Sequence, residues 1–540
     1  MKTKLLYFFT FISFLGYAQQ DAWVYFNDKP NSNYYFNNPL QMLSQRALDR
    51  RTNQNIALDF KDVPLHQPYV DQITAAAGIQ VKAKSKWLNC LHVRGSQTDI
   101  STLISLPFVN HISFADKGIT QLGRHTTVTH SGIKSIDDQP VTTFNYGTSA
   151  SQIQMLNGHL LHQQNYTGTG KIIAVLDAGF PGVDVVQPFQ RLRDNNLILG
   201  GYNFVDKTTN FYTRNGHGTS VLSCIGGFKD NQLVGTAPDA KFYLFITEDV
   251  DSENPVEESN WVEAAEMADY VGADIITSSL GYFGYDNPSY SYLYEDMTGN
   301  KAFASRGANI AFSKGIVVVV SAGNSGGSAD PHVGVPADAT NVLTIGAVKS
   351  DRTKAGFSSI GPSFDNRVKP DVMAQGQSSV VSNSSGSITT ANGTSFSCPI
   401  MAGMIASFWQ AIPWATNAQI VQFVKQASDN YATPNANYGY GIPNFQTALN
   451  IALLNVPLIP FKESEFSFAP NPVLNQLELK FPESYKNNYF DIYNNLGQLI
   501  LSNENVKSNQ NIDLSALSSG FYFFKFSSSE AINTGKLLKK

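Results

Sequence analysis

The alternation of apolar and polar residues along the chain changes its period twice. Residues 22–115 mix strand-like and helix-like patterns. The predicted strands are residues 23–26, 79–84, 87–94 and 109–114, and the predicted helices are residues 40–50, 69–77 and 99–106. This part of the chain is therefore expected to form a small α+β domain.

From Lys171 onward, short runs of β-branched residues each end at a small or polar residue. These runs are residues 172–176 before Asp177, 275–276 before Thr277 and 316–320 before Ser321. Helical patterns alternate with them, at residues 221–226, 261–271, 302–313 and 399–410. The alternation predicts an α/β fold, a parallel sheet with helices on both faces. Reacting groups gather at the carboxyl ends of the strands in such sheets.

After residue 455 the pattern becomes strictly alternating, with frequent turn residues. The predicted strands are residues 477–481, 489–493, 498–501 and 521–526, which favours a separate β-sandwich. Residues 116–150 are polar without a clear period and predict an exposed connection. We therefore divide the chain into five parts. They are residues 1–18, residues 19–145, residues 150–455, a linker at residues 456–465, and residues 466–540.

The first residues have the pattern of a secretory signal. Lys2 and Lys4 precede an apolar run at 5–15, and small residues end at Ala18, where we expect cleavage. A membrane anchor is the alternative, but the run is shorter than the roughly 20 residues that a span needs. No other segment is apolar over such a length, so we expect no transmembrane segment and a secreted protein.

Composition narrows the function classes. The 540 residues are 42% hydrophobic and 15% charged, with a net charge of −5, which is typical of globular domains and does not favour nucleic acid as a partner. The three cysteines are too few for a disulfide scaffold. Cys224 and Cys398 could form a bridge or remain as two buried thiols, and no Cys/His spacing predicts a zinc site.

Four residues in the predicted α/β domain have the chemistry of an activated nucleophile. Ser395 follows Gly-Thr and precedes an apolar run, His217 lies between glycines before a helix, and Asp177 ends a strand. Asn324 also follows a strand and can donate a hydrogen bond to an oxyanion. Each motif taken alone also occurs in ordinary turns. The serine needs a base, and the base needs a carboxylate to orient it, so the combination is more specific than any one motif.

In these motifs the chain resembles the subtilisin-like serine proteases, or subtilases, over about residues 150–450. The resemblance rests on the blocks Val-Leu-Asp-Ala-Gly at 175–179, Gly-His-Gly-Thr at 216–219, Gly-Thr-Ala-Pro at 235–238, Ser-Leu-Gly at 279–281, Ala-Gly-Asn at 322–324 and Gly-Thr-Ser-Phe-Ser-Cys-Pro at 393–399.

The resemblance implies a secreted serine endopeptidase with a specific role for each group. Ser395 would be the nucleophile, His217 the general base and then acid, and Asp177 its orienting partner. Asn324 and the Ser395 N–H would form the oxyanion hole. The substrate peptide would pair with Ser279, Leu280 and Gly281, while Ala322 and Gly323 would form the far wall of the first specificity pocket.

Two departures from the family pattern bear on the site. Gln375 stands where the family usually has proline, which puts the rigidity of that loop in question. Residues 282–299 are a tyrosine-rich insertion directly after the substrate edge; substrate contact and a plain surface loop are both open. The chemistry is expected to need no cofactor. Structural calcium is common in the family, but the acidic run at 248–258 matches no standard calcium loop, so its ligands stay unassigned.

The flanking parts fit the same family. Residues 19–145 resemble a subtilase propeptide by arrangement, which implies an intramolecular inhibitor. Residues 466–540 resemble the C-terminal sorting domain of the type IX secretion system, which implies export to the surface or medium and that secretion machinery as a partner. The expected substrates are proteins or peptides.

Two other functions were compared with this interpretation. An α/β-hydrolase esterase needs Gly-x-Ser-x-Gly with its acid and histidine after the serine, whereas here both precede Ser395. A non-catalytic binding module on the same scaffold would normally lack one of the four groups, and all four are present.

Overall fold

The computed structural model describes residues 19–119, 144–455, 466–494, 498–528 and 532–540. The chain forms two compact units, residues 1–455 and 456–540. The predicted signal at 1–18, the linker at 456–465 and residues 120–143 of the polar connection lie outside the described residues. None of the helices in the described ranges combines the length and apolar character that a membrane span requires.

The first unit begins with an N-terminal domain of the expected α+β type. Its elements are β1 (Gln19–Phe26), α1 (Ser32–Asn37), α2 (Gln45–Asn53), α3 (Gln67–Thr74), β2 (Gln80–Ser85), β3 (Cys90–Ser96), α4 (Gln97–Thr102) and β4 (Val109–Phe114). The strands form an antiparallel sheet in the order β2-β3-β1-β4. The helix predicted at 40–50 starts too early: Ser44 caps α2 by accepting a hydrogen bond from Ala47 N, so the helix begins at Gln45.

The larger part of the first unit follows. It consists of α5 (Ala150–Gln154), α6 (Gly158–Gln163), β5 (Ile172–Asp177), α7 (Gln190–Asp194), β6 (Ile198–Asn203), α8 (His217–Gly226), β7 (Phe228–Lys229), β8 (Leu233–Val234), β9 (Lys241–Ile246), α9 (Val256–Val271), β10 (Ile275–Ser278), α10 (Phe303–Ser313), β11 (Val317–Ser321), β12 (Leu343–Val348), β13 (Val372–Gln375), β14 (Ser379–Ser382), β15 (Ile388–Ala391), α11 (Thr394–Ala411), α12 (Asn417–Gln426) and α13 (Phe445–Leu454).

Seven of these strands form the predicted parallel sheet, in the order β13-β12-β11-β10-β5-β9-β6. Successive side chains of β5 enter different apolar clusters: Ile173 and Val175 pack with α8, α11, α12 and α13, while Ala174 and Leu176 pack with α9 and α10. Both faces are therefore covered, as expected from the uniformly apolar strands. The order along the sheet reverses at β5, which places its carboxyl end at a topological switch point.

Three helices of this sheet domain begin before their apolar patterns do. The predicted starts were 221, 261 and 399, whereas α8 begins at His217, α9 at Val256 and α11 at Thr394. The predicted start at 261 had placed the acidic residues Glu257 and Glu258 before this helix, whereas they lie in the first turn of α9. First turns are polar because their N–H groups lack helical partners.

The second unit is all-β. Its strands are β16 (Ser467–Ala469), β17 (Gln476–Lys480), β18 (Tyr489–Tyr493), β19 (Leu499–Glu504), β20 (Gln510–Asp513), β21 (Gly520–Ser527) and β22 (Ile532–Lys539). They form two antiparallel sheets, β16-β17-β20 and β19-β18-β21-β22. Side chains of both sheets, such as Leu479 and Phe524, share one apolar cluster. The sandwich prediction is confirmed, although β16, β20 and β22 were not foreseen.

The N-terminal domain packs on α9 through apolar and charged contacts. Trp23 and Trp87 belong to the same buried apolar cluster as Trp261 of α9. Asp269 of α9 pairs with Arg50 and with Arg51, whose Nη2 lies 2.7 Å from Asp269 Oδ1. Burial opposes ionisation of Asp269, but the two guanidinium groups hold its pKa below the usual value. A buried group of this kind is sensitive to loss of one partner, because the remaining charges are then uncompensated.

We expect Asp269→Asn to lower the free energy of unfolding by about 3–5 kcal/mol, since it leaves the buried guanidinium group of Arg50 without a carboxylate partner and that of Arg51 with Asp62 alone. The measurement is denaturant unfolding of the full chain, with Ser395→Ala as a common background to prevent self-cleavage. Glu263→Gln is the matched control on the same helix: its partner Lys207 has 42% of its side chain exposed, so we expect a loss of at most about 1 kcal/mol. Equal losses in the two variants would contradict the role of the buried pair.

Candidate active site

The four predicted reactive residues lie at the carboxyl edge of the parallel sheet. Asp177 is the last residue of β5, Asn324 follows β11, His217 is the first residue of α8 and Ser395 is the second residue of α11. Three contacts show that the structure brings them together. Asp177 contacts His217, and Asn324 contacts Thr394, which precedes Ser395. The ring of Phe396, which follows Ser395, contacts the ring of His217.

Asp177 and His217 form a close pair. His217 Nδ1 lies 2.7 Å from Asp177 Oδ1, which also accepts a hydrogen bond from Ala178 N at 2.8 Å. The aspartate is fully buried, and its Oδ2 has no hydrogen-bond partner among the described residues. Gly218 permits this approach, because a Cβ there would lie 2.5 Å from Gly179 O and 2.9 Å from Asp177 Cβ. Glycine after the histidine is thus required by close packing of α8 on the end of β5.

The carboxylate sets the electrostatics of the imidazole. The negative charge of Asp177 raises the pKa of His217, against the opposing effect of burial. The hydrogen bond at Nδ1 leaves Nε2 as the nitrogen that can exchange a proton with another group. The pair therefore supplies a base with a fixed ring orientation at the edge of the sheet.

Ser395 lies at the N-terminus of α11 and is 9% exposed. Its Oγ donates a hydrogen bond to Ser279 O at 3.4 Å, and Ser279 Oγ donates to Ser395 O at 2.9 Å. Within the described residues Ser395 makes no hydrogen bond to His217, but the ring of Phe396, the next residue, lies 6.0 Å from the imidazole ring. The hydroxyl thus contacts the predicted substrate edge, and the next residue of the helix lies beside the imidazole.

Asn324 is oriented by the residue that precedes the serine. Asn324 Oδ1 accepts hydrogen bonds from Thr394 N at 2.9 Å and from Thr394 Oγ1 at 3.1 Å. Asn324 is exposed and lines the same cavity as Ser395. The role of Thr394 was missed from the sequence, where the Gly-Thr-Ser turn drew attention only to its serine. A hydroxyl directly before a nucleophile was the available signal.

A cavity of about 200 Å³ adjoins these groups. All five residues predicted to bind substrate line it together with Asn324 and Ser395: Ser279, Leu280, Gly281, Ala322 and Gly323. The sequence did not indicate that Tyr282, His332 and Gly334 line it as well. The cavity is large enough for one side chain of a bound peptide.

The tyrosine-rich insertion is not a plain surface loop. Tyr285 and Tyr292 are buried, and their hydroxyl groups donate to Glu258 Oε1 at 2.6 Å and 2.7 Å. Glu258 Oε2 accepts from Ala304 N at 2.8 Å. Burial raises the pKa of Glu258 despite these three donors. The insertion is therefore anchored to α9 and α10 by a buried polar group.

Three acidic residues of the run at 248–258 come together. Glu248, Glu253 and Glu257 each place a carboxylate oxygen within 4.8 Å of the others. Burial raises the pKa of Glu257 to about 8, and exposed acidic groups are common without an ion. Tyr282 OH already donates to Glu248. We therefore assign no calcium ligands.

Two further sequence questions have structural answers. Gln375 is buried. Its Oε1 accepts a hydrogen bond from Ser151 Oγ at 2.9 Å, and its Nε2 donates to the carbonyl groups of Gln377 and Ser378. Hydrogen bonds therefore restrain this loop in place of the proline ring.

Cys224 and Cys398 are buried free thiols. Burial raises the pKa of Cys398 to about 12.

Family models match three consecutive parts of the chain. A model described as "Peptidase S8 propeptide domain, Bacteroidota" matches residues 21–131, a "Subtilase family" model matches residues 168–441, and a "Secretion system C-terminal sorting domain" model matches residues 467–540. The three matches follow one another in the order expected from the hydrophobic patterns.

The similar proteins include several subtilisins. Subtilisin NAT of Bacillus subtilis subsp. natto is 30% identical over 336 residues, which cover 62% of this chain and 78% of the relative. Subtilisin of Bacillus pumilus is 31% identical over 299 residues, which cover 55% of this chain and 97% of the relative. A solved structure, "Crystal structure of MycP1 with the N-terminal propeptide removed", is 23% identical with a TM-score of 0.44, and the match covers 55% of this chain and 96% of that one.

We expect Asp177→Asn to lower the pKa of His217 by about 1–3, because the negative charge that stabilises the imidazolium is lost. Histidine NMR titration of the full chain measures this value directly. Asp239→Asn is the control, since that carboxylate pairs with Arg191. An unchanged pKa of His217 in Asp177→Asn would show that the pair does not set the charge of the imidazole.

Proposed function

The chain belongs to the subtilase family, and we propose that this serine protease is an endopeptidase in which Asp177, His217 and Ser395 form the catalytic triad. The observation that carries the proposal is the 2.7 Å contact of a buried carboxylate with His217 Nδ1, next to the helix that begins at Thr394 and has Ser395 in its first turn. The family supports serine protease activity. The roles of individual residues and the internal position of the cleaved bond are the proposal.

The proposed reaction begins with attack of Ser395 Oγ on the carbonyl carbon of a peptide bond, while His217 Nε2 takes the hydroxyl proton. The negative oxygen that forms would accept hydrogen bonds from Asn324 Nδ2 and Ser395 N. His217 then gives its proton to the leaving nitrogen as the C–N bond breaks. Water, activated by the same imidazole, hydrolyses the acyl-enzyme and restores Ser395. Asp177 orients the ring and stabilises its charged form throughout.

Substrate binding would release the serine from its present contact. Ser395 Oγ now donates to Ser279 O, which is also an acceptor that an extended peptide needs when it adds a strand to this edge. A substrate N–H bound to that carbonyl group would free the hydroxyl to turn towards His217.

The flanking domains support a secreted, initially inhibited enzyme. The C-terminal sorting domain marks a secreted or cell-surface protein. We propose that residues 19–145 act as the inhibitory propeptide, because the described part of this domain packs on α9 and contacts the insertion next to the cleft. The type IX secretion machinery is the proposed partner of residues 466–540. We propose that the chemistry itself uses no cofactor.

A phenylmethylsulfonyl-type reagent should label Ser395, and Ser395→Ala should lower the kcat for casein peptides by about 10⁶-fold. Mass spectrometry of a tryptic digest identifies the labelled residue, and chromatography of the products shows whether bonds within the peptides are cleaved. Ser397→Ala is the matched control on the same helix and should retain activity. Absence of labelling together with full activity of Ser395→Ala would exclude the proposed nucleophile.

We expect Asn324→Ala to lower kcat by about 10²–10³-fold with little change in KM, the loss measured when an oxyanion donor is removed in subtilisin. Steady-state kinetics on a fluorogenic peptide separate the two constants. Asn341→Ala, an exposed asparagine outside the lining of the cavity, is the control. If Asn324→Ala instead raised KM at unchanged kcat, the residue would bind substrate and not the developing oxyanion.

A further inference from the structure

The strongest unassigned feature of the structure is a cation site in the tyrosine-rich insertion. Lys117, just after β4 of the N-terminal domain, places its ammonium group there. Lys117 Nζ lies 2.6 Å from Asp296 Oδ2, donates to Ser291 O at 2.7 Å, and sits 4.4 Å from the centroid of the Tyr292 ring. A carboxylate, a carbonyl oxygen and an aromatic face are the three kinds of group that bind an ammonium ion.

The site is built by the insertion and does not depend on Lys117 for its shape. Tyr292 is fixed by its hydrogen bond to Glu258, and Asp296 Oδ2 also accepts from Leu293 N at 3.0 Å. The carboxylate side chain is only 2% exposed, and its other oxygen, Oδ1, pairs with Lys301. The oxygen that binds Lys117 would therefore remain oriented by Leu293 N after Lys117 left, with Lys301 still paired to the other oxygen.

The same insertion is continuous with the cavity beside Ser395. Tyr282 and Phe283 line that cavity, and Phe283 O accepts a hydrogen bond from Tyr292 N at 2.7 Å. The Tyr294 ring stacks at 3.9 Å on His332, which also lines the cavity. The cation site is thus joined to the cleft by directly contacting residues.

The position of Lys117 in the chain indicates the side of the substrate that the site would bind. The backbone of Lys117 also contacts the insertion, through a hydrogen bond from its N–H to Ser289 O at 3.3 Å. Any cleavage that separates the N-terminal domain from the sheet domain falls after Lys117, so this residue lies on the amino side of that bond. The chain itself thus shows how a lysine on that side contacts the insertion.

We propose that Asp296, Tyr292 and Ser291 O form a subsite for a lysine side chain of the substrate, on the amino side of the cleaved bond. Lys117 occupies this subsite until the N-terminal domain is removed. The inference rests on the proposed endopeptidase function and adds to it a preference that the cavity at Ser395 does not supply.

The test uses the processed enzyme that the full chain produces and a set of quenched fluorescent peptides. In each peptide one position on the amino side of the cleaved bond carries lysine, and the matched peptide carries norleucine, which has the same chain length without the charge. At one position lysine should raise kcat/KM over norleucine by about tenfold. Asp296→Asn should abolish this preference, so that the lysine and norleucine peptides are cleaved with equal kcat/KM by that variant, and the exposed neighbour Glu295→Gln should retain it.

The outcomes separate the two proposals. Cleavage of the peptides with no position that prefers lysine would overturn the subsite and leave the endopeptidase in place. A lysine preference that survives in Asp296→Asn would also overturn it. No cleavage of any peptide would overturn the endopeptidase function and, with it, the subsite. The comparison of lysine with norleucine needs only the unsubstituted enzyme, so it decides the question even if Asp296→Asn does not fold.

Discussion

Burial of helix α11 is the constraint on which the candidate site depends. All of its 18 residues except Gln410 are buried, and its apolar side chains share one cluster with β5, β11 and α8. Contact is tight: a Cβ on Gly403 would lie 2.1 Å from Thr236 Oγ1. Because close-packed interiors do not deform continuously, the first turn of this helix, with Ser395, is held at one place relative to the strand ends. The reactive groups are positioned by the core and not by flexible loops.

The polar groups around the cleft then divide into two sets with different physical roles. The contacts of Asp177 with His217 and of Asn324 with Thr394 orient reactive atoms. Each contact joins a residue at or just after the end of a strand to the first residue of a helix. The buried charges of α9, including Asp269, instead hold the N-terminal domain. Apolar burial is not directional, whereas ion pairs and hydrogen bonds have defined partners. The apolar cluster and these charged contacts both hold the domain on α9, and the charged contacts fix which groups meet.

The parts of the fold that could be predicted are those with a local pattern. Apolar runs that end in Asp177 or Ser321 predicted parallel strands, and both strands lie in the parallel sheet with β10 between them. Helix starts were placed late in α8, α9 and α11, because first turns carry polar residues that interrupt the apolar period. In α8 and α11 those first turns hold His217 and Ser395. The misplaced helix boundaries thus mark the candidate site itself.

The sequence by itself determined the α/β class, the all-β C-terminal unit and the set of reactive residues, because strand and helix periods and short motifs are properties of neighbouring residues. Only the tertiary structure decided which distant groups meet. It showed that Ser395 Oγ bonds to Ser279 O, that the insertion is anchored on Glu258, and that Lys117 reaches Asp296, 179 residues further along the chain. Such contacts are decided by packing of whole elements, and no local spacing encodes them.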